Sequence, residues 1–138
     1  MGRFALAAIL AALAACHPAA PTLDPSAQPI AHQFFDEVRA GADLDADPHL
    51  AHELKNPTSE QQLVFFRAMI PLEPPRGVEL RSWDAKTDNI GTTTRMIEAY
   101  HYVDRTLIVQ TALFKSPGGH DPIIVGFNLT TAPPADDS

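Results

Sequence analysis

The apolar positions of this chain change period part-way along it. Ile30, Phe34 and Val38, with Phe35 beside them, recur at i, i+4, i+8. That spacing marks one face of an α-helix and predicts a helix over residues 30–39, stopped at Gly41. Residues 43–55 are polar and predict no more than a short helical turn after Pro48, with Asp47 as its N-cap. A second helical face follows in Leu63, Phe66, Met69 and Ile70. Thr58 is placed to cap that helix, with Gln61 three residues on as in a capping box. Pro71 ends it, and Pro74 and Pro75 prevent its resumption.

Beyond Pro75 the period falls to two. Val78 and Leu80 alternate with Glu79 and Arg81. Residues 92–103, 106–115 and 122–131 are rich in Thr, Ile, Val, Tyr and Phe, the composition of strands. Asp104-Arg105 and Ser116-Pro117-Gly118-Gly119 predict tight turns between them. Strands joined in sequence by short turns form an antiparallel meander. One face of such a sheet needs an apolar cover, and the helical half is the available material. The expected fold class is α+β, with N-terminal helices packed on a curved four-stranded antiparallel sheet.

Length and charge narrow the function classes. A chain of 138 residues suits one domain. The formal charge is −7, with the acids scattered and no basic patch. Binding a phosphate backbone needs clustered Lys and Arg, so nucleic acid is not an expected partner, and an anionic bilayer surface would repel the domain. The single cysteine, Cys16, excludes an intrachain disulfide and a Cys-rich zinc site.

The N-terminus has a separate logic. Arg3 precedes an apolar run over residues 4–13, too short for the about 20 residues a membrane span needs but suited to a secretory signal. The run ends in Leu13-Ala14-Ala15-Cys16. These four residues resemble the lipobox of bacterial lipoprotein signal peptides. The resemblance implies cleavage after Ala15 and acylation of Cys16, so that residues 1–15 are a signal peptide and the lipid bilayer is a partner through Cys16. Stable anchoring takes roughly two acyl chains. His17 stands where aspartate retains enterobacterial lipoproteins in the inner membrane, which points to the periplasmic face of the outer membrane. Residues 16–29 contain Pro18, Pro21, Pro25 and Pro29 and read as an extended tether, about 3.1 Å per residue. Residues 30–131 are the expected domain, and 132–138 a frayed tail.

The order of elements resembles the nuclear-transport-factor-2-like (cystatin-like) superfamily, in which helices pack inside a strongly bent sheet. The resemblance is carried by HQFFDEVRAG (32–41), EQQLVFFRAMIP (60–71) and IIVGFNL (123–129), and it looks closest to that superfamily's small lipoproteins of unknown function. It implies a cone-shaped cavity between helices and sheet. Relatives with enzymatic activity line that cavity with Asp, Tyr and His.

Candidate chemistry is sparse. Asp43, Asp45 and Asp47 alternate like the start of an EF-hand loop, but Pro48 and Leu54 stand where that loop needs Gly and Glu. His49 and His52 at i, i+3, with Glu53 or Asp47, are weak metal candidates; a solvated acidic loop accounts for the same residues, and no metal or other cofactor is expected. Tyr100 and Tyr102 share one strand face while His101 takes the other. With Trp83, the two tyrosines are the candidate ligand-binding residues, against a packing role for all three. No GxSxG elbow, P-loop or dinucleotide fingerprint occurs, so no catalytic residue is assigned. Asn128-Leu129-Thr130 matches a glycosylation sequon but fits equally as strand sequence. Three functions stay open: an anchored non-catalytic module for an envelope protein, a binder of a small apolar ligand in the cone, and an isomerase- or hydrolase-like enzyme.

Overall fold

The computed structural model describes residues 21–119 and 121–136. Cys16, the expected signal sequence and the first part of the expected tether lie outside the described residues. The first helix, α1, spans Ala27–Ala40, and the second, α2, spans Pro57–Met69. Four strands follow: β1 Gly77–Thr87, β2 Thr92–His101, β3 Thr106–Lys115 and β4 Ile123–Ala132. They form one antiparallel sheet in the order β1-β2-β3-β4. The expected α+β meander with two helices on one face is therefore what the chain adopts.

Several boundaries differ from those the sequence predicts. Helix α1 starts before Ile30, at Ala27, because Pro29 falls in its first turn, where a missing N–H costs nothing. The chain before it is also fastened. Asp24 accepts from Ser26 and forms an ion pair with Lys115 of β3 at 2.9 Å. Those contacts hold its carboxyl down at about 2, the Ser26 hydrogen bond foremost and Lys115 next. Residues 27–29, expected in the tether, therefore belong to α1, and Asp24 ahead of them is held to β3. At the other end of α1, Gly41 adopts the left-handed conformation, φ 68°, and donates back to Val38, as a helix-ending glycine does.

The α2 cap is Asn56, which accepts from Ser59 N at 3.0 Å, and Pro57 occupies the first helical position. Thr58 is inside the helix. Asparagine is a stronger cap than threonine, and Pro at N1 has its φ set for the first turn. Between the helices lie two 3-10 turns, Leu44–Ala46 and His52–Leu54. Asp47 caps neither. It is buried, and its carboxylate accepts from His49 N at 2.7 Å across Pro48. Residues 49–51 then run beside β4, with Ala51 N donating to Ile124 O and Ile124 N to His49 O.

Alternation assigns the two faces of the sheet. Thr94, Met96, Glu98 and Tyr100 of β2 are buried, as are Leu107, Val109, Thr111 and Leu113 of β3. The register joins them pairwise, Tyr100 with Leu107 through Thr94 with Leu113. This face meets the helices. Phe35 stacks on Tyr100 at 4.1 Å, while Phe34 and Phe66 both set edges on Phe127. Irregularities in register at Leu80/Ser82 and Ala112/Leu113 add local bends to the sheet.

Candidate functional site

The space between helices and sheet is packed. Phe34, Phe35, Met96, Leu107, Leu113 and Ile124 are each exposed by no more than 2 %. Where α2 meets the sheet, beside Phe34, Phe66 and Phe127, an opening of about 30 Å³ is left, room for one water, while a cavity of about 410 Å³ lies at the start of α1, between Leu23, Ala27, Thr94 and Leu113. A notch of about 330 Å³ lies at the far end of α1, between Val38, Leu44, Leu63 and Arg67, and opens to solvent.

The three sequence candidates for ligand contact do not converge on a cavity. Tyr100 and Tyr102 are buried side chains of the packed face, and Trp83 on β1 is half-buried against the same core. Burial pushes both phenols up, Tyr100 further than Tyr102. Their hydroxyls have no hydrogen-bond partner among the described residues. His52 and Glu53 are exposed on their 3-10 turn and His49 is half-buried. No group of three His, Cys, Asp or Glu side chains among the described residues is arranged to hold a metal ion.

The reading of the sequence missed a buried acid–histidine pair. Glu98 points from β2 into the helix side of the sheet and is 1 % exposed. Its Oε2 lies 2.6 Å from Nε2 of His32 and accepts from Gln28 at 3.3 Å. Gln28 and His32 stand at i, i+4 on α1, so one turn of helix presents both to the same carboxylate. The Glu98 hydrogen bond holds the His32 imidazole above its ordinary value, against the effect of burial. Glu98 Oε1 has no hydrogen-bond partner among the described residues. The signal in the sequence was an acid at an inward strand position, between Met96 and Tyr100. One acid of α1 is perturbed as well, Glu37. Burial, followed by the neighbouring Asp47 carboxylate, pushes Glu37 up, and Gln33 donates to its other oxygen.

Among the described residues, the opposite face of the sheet carries no helix. Two cross-strand rows of side chains border a trough there. Ser82, Ile97, Gln110 and Asn128 form one bank, and Asp84, Arg95, Ala112 and Gly126 the other. The floor is the row between them, whose Met96 and Thr111 side chains turn into the core. The trough measures about 310 Å³.

No family model, curated protein or solved structure matches the chain. Among the described residues no helix is long and apolar enough to cross a membrane.

Proposed function

We propose that this protein is a lipid-anchored, non-catalytic binding module of the bacterial envelope, held to the periplasmic face of the outer membrane through acylated Cys16 and engaging an envelope partner outside its core. We further propose that its domain is a small version of the nuclear-transport-factor-2-like, cystatin-like cone. The helices-first order and the four-stranded meander bent by two irregularities support that fold reading. The lipobox Leu13-Ala14-Ala15-Cys16 supports the anchor.

The observation that carries the binding role is the packed interior. An enzyme or carrier built on a cone needs an opening of some hundreds of cubic ångströms for its ligand. Here phenylalanines fill the centre of that space, and about 30 Å³ is left beside them. Glu98, the one carboxylate turned into the packed face of the sheet, is engaged by His32 and Gln28. A small apolar ligand therefore has no seat beside these phenylalanines, and we take the uncovered sheet face as the recognition surface.

Two measurements test the proposal. Cys16→Ser should move the protein from the membrane to the soluble fraction; unchanged fractionation sinks the anchor. The native protein should leave the fluorescence of an apolar dye such as anilinonaphthalene sulfonate unchanged. Saturable, stoichiometric dye binding would restore the ligand-carrier reading.

A further inference from the structure

The trough on the helix-free face has a chemical polarity. Asp84 and Arg95 are direct cross-strand partners of opposite charge, an arrangement that ordinarily gives an ion pair. Neither forms one. Ser82, Asp84, Arg95, Gln110 and Asn128 are all exposed, and none of their side chains makes a hydrogen bond or ion pair within the protein among the described residues. Elsewhere on the surface, neighbouring charges do close on one another, as Arg105 does on Asp104 at 2.7 Å.

The two ends of the trough differ. At the β1–β2 end stand one carboxylate and one guanidinium. At the β3–β4 end stand the amides of Gln110 and Asn128, each able to donate and accept. Ala112 and Gly126 face those amides across the floor, and they leave the depth. A Cβ on Gly126 would come within 3.3 Å of the Ala112 Cβ, so larger residues here would close the trough. Its volume of about 310 Å³ lies at the small end of ligand sites.

We infer that this trough binds a short peptide with free termini, of about dipeptide size, placing its ammonium at Asp84, its carboxylate at Arg95 and its amide body against Gln110 and Asn128. Unpaired opposite charges held side by side complement a zwitterion. A lone cation or anion would leave one of the two groups unanswered. The amides then match the peptide group, and Ile97 offers apolar contact to a side chain. The inference shares with the proposed function the idea that recognition happens on the sheet face, and it does not depend on the anchor.

Trp83 lies in the floor row, but its side chain packs against the core on the other side of the sheet, so binding is read by isothermal titration calorimetry. The experiment titrates the full chain with the dipeptide Ala-Gln and, separately, with the same dipeptide acetylated and amidated at its ends. The expected result is a saturable heat of binding with free Ala-Gln. Blocking the termini should weaken it about tenfold or more, as should Arg95→Gln, since each removes charge-assisted hydrogen bonds. Ala112→Leu, which fills the trough from an exposed face, should abolish it, and His52→Ala, on a distant turn, should leave it intact. Absence of a saturable response to free Ala-Gln overturns the inference. So does an equal response to the blocked peptide, or to phosphoethanolamine, which carries both charges without an amide. Those failures would leave the packed interior and the Cys16 anchor standing, because the dye and fractionation measurements read them independently.

Discussion

Removing the imidazole of His32 tests whether the buried pair holds α1 to the sheet. In the native protein Glu98 has two partners on α1, His32 at 2.6 Å and Gln28 at 3.3 Å, and one oxygen with none. His32→Ala leaves a carboxylate that is 1 % exposed with only the long Gln28 bond. Breaking one side of a buried pair costs about 3–5 kcal/mol. The His32 side chain is 40 % exposed, so water can follow it out, and the expected loss is nearer 2–3 kcal/mol. Glu98→Gln keeps the shape and removes the charge. Added to His32→Ala, it should restore part of the loss, because the stranded charge is the main cost. Urea unfolding at constant m-value measures each step. A loss of 2–3 kcal/mol corresponds to a melting shift on the order of 10 °C. The sign with pH follows from the raised imidazole. Its contribution is fully present below the unfolded histidine value of about 6.5 and declines as pH rises through the folded one. The gap between native and His32→Ala protein should therefore be wider at pH 5.5 than at pH 8. A loss under about 1 kcal/mol, a double variant no better than the single one, or a gap that widens with pH would refute the reasoning.

Three other substitutions are informative. Asn56→Ala removes the α2 cap and should cost about 1 kcal/mol, while Thr58→Ala should be near neutral; equal losses in thermal melts would return the cap to Thr58. Glu37→Gln replaces an acid whose ionisation is opposed by burial and by Asp47 with a group that can donate to Asp47. Because the folded protein holds that proton more tightly than the unfolded chain, ionised Glu37 destabilises as pH rises, so Glu37→Gln should gain about 1 kcal/mol at pH 8 and less at pH 5. A gain independent of pH would show that the carboxyl pair is not the source.

Periodicity made the two helices and four strands legible. Ile30, Phe34 and Val38 repeat every helical turn, and Leu107, Val109, Thr111 and Leu113 alternate as a half-covered strand must. Burial of one face is a property each segment carries alone. The facing of Tyr100 and Tyr102 together, away from His101, was readable for the same reason. The α2 cap was misplaced because Asn56 and Thr58 both fit a local rule, and Pro57 between them decides it by fixing the first turn.

The sequence by itself determined which residues would be inside, since alternation and helical spacing are set by backbone geometry within a few residues. Tertiary structure alone decided which of them meet. Glu98 was visible as an acid at an inward position, but His32 lies 66 positions earlier and reaches it only when α1 crosses β2. The trough likewise needs three strand pairings in correct register to bring Asp84, Arg95, Ala112 and Gly126 into one row. A slip of one residue would turn each to the other face. Local patterns encode burial; contacts between distant segments depend on register and packing, which no single segment contains.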